Sequence, residues 1–229
     1  MADVRTESIE FPVNGETGRG YLVQPEGAGA FPGVVVVQEW WGLDEHIKDV
    51  ARRFAAEGFV ALAPDLYHGE VTREPNEAQK LMMSLNMGQA VKELAKATEY
   101  LASRPETGGR GIGAIGFCMG GGLALNLACD STQIRAAAPF YGVNPAPIDR
   151  VRNLRGPLLA IYAENDAFAG ESVRRELEQA LEAGEIPHEI VVYPGAQHAF
   201  FNDTRSDVYD HDAAADAWRR VLSHFRQHL

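Results

Sequence analysis

Long apolar runs, a basic surplus, paired cysteines and internal repeats are all missing from this chain, and each gap removes a class of protein. No apolar stretch approaches the ~20 residues needed to cross a bilayer, and "MADVRTESIEFPV" has no basic region followed by an apolar core. The expectation is a soluble, cytoplasmic chain with no membrane partner. Lys plus Arg number 21 against 32 for Asp plus Glu, and the net charge of -11 argues against a nucleic-acid backbone as partner. A small uncharged or weakly polar ligand fits better. Cys118 and Cys129 would stand roughly 15 Å apart on a connecting helix, too far for a disulfide, so both are expected as free thiols. Without repeats, low-complexity tracts or linkers, the 229 residues are expected to form one domain (1–229) and a monomer.

What is present is an alternation of strand and helix patterns. "TESIEFPV" and "RGYLVQP" read as strands around a turn at Asn14-Gly15, and "GVVVVQ" is apolar enough for a central parallel strand. Asp44 caps a helix running to Glu57, and "FVALAP" follows as a strand. Two polar-faced helical stretches span about Asn76 to Arg104, the first placed to act as a lid. Then come "GIGAIGF", the helix "MGGGLALNLA", the strands "RAAAPFYG" and "PLLAIYA", the helix "GESVRRELEQALEAG", the strand "PHEIVVYPG" and a last helix near Asp212 to His228. This order predicts an α/β fold with a mostly parallel central sheet of about eight strands and helices on both faces.

In such a fold the chemistry sits at the carboxyl ends of the strands. "GFCMGG" places Cys118 in a G-x-C-x-G frame between a buried strand and a small-residue helix, the context of a nucleophile elbow. There the helix N-terminus favours a thiolate, and the Met119 amide would point at a developing oxyanion. Cys129, inside "LALNLACD", reads as a packing residue. Asp166 and His198 each follow a later strand, which gives the order nucleophile, acid, histidine. Asp166 is preferred over Glu164 because it lies farther into the loop. His46, His68, His188, His211, His224 and His228 read as surface residues. His224 and His228 share a helix face without a third ligand, so no metal or other cofactor is expected. Glu39, at the end of "VVVVQEWWG", is a carboxylate at the mouth of an apolar strand and needs a partner, either the nucleophile or an arginine.

The succession "QEWWG", "APDLYHG", "GFCMGG", "AENDAF" and "QHAFFND" closely resembles the dienelactone hydrolase (carboxymethylenebutenolidase) family of α/β-hydrolases along nearly the whole chain. The resemblance implies a cofactor-free hydrolase of small esters or lactones. Cys118 would be its nucleophile, His198 the base, Asp166 the orienting carboxylate, and the Trp40 and Met119 amides the oxyanion hole. It also implies that Glu39 contacts the thiol at rest and is displaced by substrate. Trp41 and Tyr141 are candidate pocket walls.

Family members hold a substrate carboxylate with two arginines; the matching positions here are Pro75 and Asn202. Asn202 is thus a candidate substrate contact, and Arg73 and Arg205 lie close by as possible substitutes. With the methionine-rich "EAQKLMMSLNMG" above the site, neutral esters are the expected substrates. Two other classes stay open: a noncatalytic or thiol-sensing binding protein, and an acyltransferase or peptidase on the same fold. A sensor would ordinarily carry a nearby resolving cysteine, and none is evident.

Overall fold

Branched apolar residues are concentrated in the middle strands of the sequence, and they form the middle of the sheet. In the computed structural model, which describes residues 3–27 and 29–229, eight strands make one sheet in the order β1-β2-β4-β3-β5-β6-β7-β8. They are β1 (Val4–Val13), β2 (Glu16–Pro25), β3 (Gly33–Val37), β4 (Val60–Pro64), β5 (Ile112–Phe117), β6 (Ile134–Phe140), β7 (Leu158–Asn165) and β8 (His188–Gln197). The β1–β2 and β2–β4 pairs are antiparallel; all others are parallel. The first hairpin turns through Asn14 (φ 45°) and Gly15 (φ 92°), the positive-φ pair that a tight hairpin demands. Every residue of β3 is buried, as a parallel strand covered on both faces must be.

Among the described residues six α-helices flank the sheet: α1 (Glu45–Ala56), α2 (Pro75–Ser84), α3 (Met87–Ser103), α4 (Met119–Asp130), α5 (Glu171–Ala183) and α6 (His211–His228). The Asp44 carboxylate accepts from the Ile47 amide at 3.1 Å and starts α1; Asn86 and Asp210 cap α3 and α6 in the same way. Two glycines of β5 identify the covering layers. A Cβ at Gly113 would touch Phe225 of α6, whereas one at Gly116 would overlap the Gly120 carbonyl of α4. Their odd separation puts them on opposite faces. Hence α6 covers one side, joined to α1 by the Phe54–Trp218 ring contact at 4.6 Å, and α4 covers the other, against α3. The expected mostly parallel, eight-stranded sheet with helices on both faces is present. No described helix is long and apolar enough to cross a membrane. Because β3 and β5 to β8 run parallel, their carboxyl ends share one edge, and there the candidate residues gather.

Candidate active site

The turn between β5 and α4 consists of Cys118 alone. Its backbone takes φ 56° and ψ -119°, a region that costs a non-glycine residue about 1–3 kcal/mol and persists only where the surroundings enforce it. The enforcement is visible. Cys118 N donates to Phe140 O at 3.1 Å, and the Gly121 and Gly122 amides donate to Cys118 O at 3.0 and 3.3 Å. A Cβ at Gly120 would overlap the Gln38 carbonyl, and one at Gly121 the Phe140 carbonyl, so only glycine lets the head of α4 lie this close to the ends of β3 and β6. Both cysteines are free, with Cys118 partly exposed and Cys129 buried.

Asp166 and His198 are each the first residue past a strand, β7 and β8. Asp166 Oδ2 accepts from His198 Nδ1 at 2.8 Å, while Oδ1 accepts from the amides of Phe168 (2.8 Å) and Ala169 (3.0 Å). Burial alone would raise the carboxyl; the bond to His198 and the two amides outweigh it and hold Asp166 below its ordinary value. Burial likewise works against a charged His198. Asp166 and Cys118 overcome it and push the imidazole up to about 10. Nε2 is buried without an ordinary hydrogen bond, and the Cys118 sulfur is the neighbour that acts on it. Tyr141 (4.9 Å between centroids) and Phe168 (5.2 Å) pack against the ring. Glu164, the competing carboxylate, is exposed and accepts from the Gly195 amide at 2.8 Å.

Glu39 is 2% exposed and its partner is neither the thiol nor an arginine. Asn202 Nδ2 donates to its Oε2 at 2.7 Å, Oε1 has no partner, and no described residue forms an ion pair with it. Asn202 Oδ1 accepts from Thr204 N (3.0 Å) and Thr204 Oγ1 (2.6 Å), which aims the amide nitrogen at Glu39. The side chain expected to touch substrate is therefore buried and committed to a carboxylate. Burial raises the Glu39 pKa, opposed by His46, Asn202 and His198.

His46 is a correction. Expected on the surface, it is 1% exposed, its ring lies edge-on to Phe117 and Phe201, and its Nδ1 stands 3.5 Å from Asp203, which Arg53 holds. His224 is also half-buried and pushed down to about 4 by burial and by His228.

Of the other candidates, Trp40 and Trp41 pack edge to face at 4.9 Å, and the Arg205 guanidinium lies 5.9 Å from the Trp41 ring while bonded to Asp207. Asp207 first, and then Glu39 and Cys118, favour the charged form of Arg205. Tyr141 is buried, and burial first, then Glu39, Cys118 and Asp166, hold its phenol well above its ordinary value. Arg73 is exposed, with no contact that brings it to these groups. Tyr67, which the sequence did not single out, donates to Met119 Sδ at 3.5 Å; burial and Cys118 push its phenol up to about 12. No described loop hydrogen bond engages the Trp40 or Met119 amide. Among the described residues no group of His, Cys, Asp or Glu could hold a metal.

A strained strand-to-helix turn, with an Asp–His pair from later strands beside it on a mostly parallel sheet, defines an α/β-hydrolase. The dienelactone hydrolase family model matches residues 19–229, and the chain belongs to that family. It is 36% identical to Protein usf of Aquifex pyrophilus, across 97% of this chain and 99% of the relative. It is 33% identical, with the same coverage, to a provisionally named carboxymethylenebutenolidase of Aquifex aeolicus. A crystal structure of a provisionally named dienelactone hydrolase from Klebsiella pneumoniae superposes with a TM-score of 0.90 at 32% identity, over 99% of this chain and 100% of that one.

Proposed function

We propose that this hydrolase opens small lactones or cleaves short-chain carboxylic esters through a thioester on Cys118, without a cofactor. The observation that carries the reading is Cys118 held at φ 56° beside an imidazole that Asp166 orients and keeps protonated. In the proposed reaction the Cys118 sulfur attacks the ester carbonyl, and the amides of Met119 and Trp40 receive the developing oxyanion. Protonated His198 then gives its proton to the departing alkoxide. The neutral ring takes a proton from water, whose oxygen attacks the thioester, and the acid leaves as the thiolate re-forms.

Glu39 is a fourth member of the site in this reading. At rest it is turned to Asn202, and its negative charge attracts the His198 imidazolium. With Asn202 committed and Arg73 remote, Arg205 is the cation beside Cys118, already paired with Asp207. That supports neutral esters as the preferred substrates over anionic lactones, and in the same proposal the protein acts as a monomer.

The test is turnover of 4-nitrophenyl acetate, with acid-quenched mass spectrometry to find the acyl group. Cys118→Ala and His198→Ala are expected to abolish turnover with an unchanged circular dichroism spectrum, and the acyl adduct should map to Cys118. Iodoacetamide should label Cys118 in the native protein and spare Cys129, whose thiol burial pushes up to about 12. An active Cys118→Ala protein would end this reading.

A further inference from the structure

A cavity of about 290 Å³ lies between the segment after β4 and the helices α2 and α3. None of Glu39, Cys118, Asp166 or His198 lines it. Leu66, Tyr67, Leu81 and Leu85 give it an apolar body, and Glu93 of α3 gives it a charge. Glu93 is 94% buried by its 6% exposure, yet Oε1 accepts no hydrogen bond from the chain. Its Oε2 is 3.9 Å from His68 Nε2, too far for a hydrogen bond, and the His68 side chain is largely exposed. The other charges that act on Glu93 are Asp65 and Glu16, both negative, and no described lysine or arginine pairs with it. A desolvated carboxylate at a cavity wall that accepts no hydrogen bond from the chain is costly unless something outside the chain donates to it.

We infer that this cavity is a second binding site, which takes a small ammonium compound with a short apolar body. The ammonium would donate to the Glu93 carboxylate, and the body would lie against Tyr67, Leu81 and Leu85. Three features favour this occupant over an anion or a neutral molecule: the excess of negative charge, the unpartnered acceptor and the absence of a nearby fixed cation. Burial raises the Glu93 pKa, and a bound cation would supply the interaction that burial removes. The site is separate from the proposed chemistry but adjoins it, because Tyr67 forms part of the cavity and also bonds Met119 Sδ. Its occupancy can be measured without any turnover, so failure here leaves the esterase reading untouched, and the converse holds.

Benzylammonium chloride is a suitable probe, with benzyl alcohol and benzoate as the neutral and anionic matches. In an NMR titration of the full chain at pH 8, benzylammonium should shift the amides of Leu85, Ala90 and Glu93 and bind at least tenfold more tightly than either match. Glu93→Gln should weaken it by roughly ten- to a hundredfold, the worth of one charged hydrogen bond. Ser84→Trp, on the exposed end of α2 at the cavity wall, should block the probe without touching the core, and it decides the matter if Glu93→Gln fails to fold. Equal binding of the three probes, shifts confined to residues around Cys118, or undiminished binding by Ser84→Trp would overturn the assignment.

Discussion

Asp166→Asn removes a charge while keeping the shape of the side chain, and so isolates what the carboxylate does for His198. The substitution leaves an oxygen for the Phe168 and Ala169 amides but places an NH2 group opposite His198 Nδ1, which favours the wrong tautomer. An imidazole raised from 6.5 to about 10 prefers its proton by about 5 kcal/mol over a free one. Burial opposes that preference, so Asp166 and Cys118 must supply all of it, and without Asp166 the ring should titrate well below the parent's value. Turnover of 4-nitrophenyl acetate is expected to fall roughly 10³- to 10⁴-fold in kcat/KM, with His198 followed by NMR from pH 5 to 10. Stability has a defined direction too. A raised imidazole stabilises the fold fully below 6.5 and loses that contribution as pH climbs to about 10. The lowered carboxyl contributes above its ordinary 3.8 and loses that as pH falls through its folded value. The Tm gap between parent and variant should therefore be widest between about pH 4 and 6.5 and narrow by pH 10. A gap that widens with pH, or His198 still titrating near 10 in the variant, would refute the reasoning.

Two further substitutions probe the surrounding frame. Glu39→Gln removes a carboxyl whose folded pKa is raised, so the parent loses stability as pH rises above the ordinary 4.5 and the variant does not. Urea unfolding at pH 5 and pH 8 should show the variant gaining on the parent by about 1 kcal/mol or more at the higher pH, and an equal difference at both would contradict a buried carboxylate. Gly120→Ala would drive a Cβ into the Gln38 and Val37 carbonyls, which are backbone and cannot rotate away. A loss of about 3 kcal/mol or more, or of soluble protein, is expected, and a parental Tm would disprove the close packing at the elbow.

The sheet was legible because each of its features has a local cause. Continuous burial of β3 follows from its valines, the first hairpin from Asn14-Gly15, and the elbow from glycines spaced around Cys118. The burial of His46 has a local signal: His46, Val50 and Phe54 recur at four-residue intervals on the inward stripe of α1. Periodicity outweighs polarity there. Glu93 repeats the pattern on α3 with Ala97 and Leu101. Tyr67 carried no such signal, since its place beside Met119 depends on how an irregular segment after β4 returns to the head of α4.

Glu39 marks the point at which local patterns stop being informative. That a charge at the end of an apolar strand needs a partner is elementary, but the partner lies 163 residues onward and is a neutral amide. One hydrogen bond from a neutral amide offsets only part of the several kcal/mol that burying a carboxylate costs, and Oε1 receives nothing. The remaining stabilisation of the ionised form comes from the two imidazoles, His46 on the protein side and His198 on the site side. The charge on Glu39 is consequently tied to the proton on His198. When His198 releases its proton to a leaving group, Glu39 loses one of the attractions that oppose its burial, which moves its pKa further up.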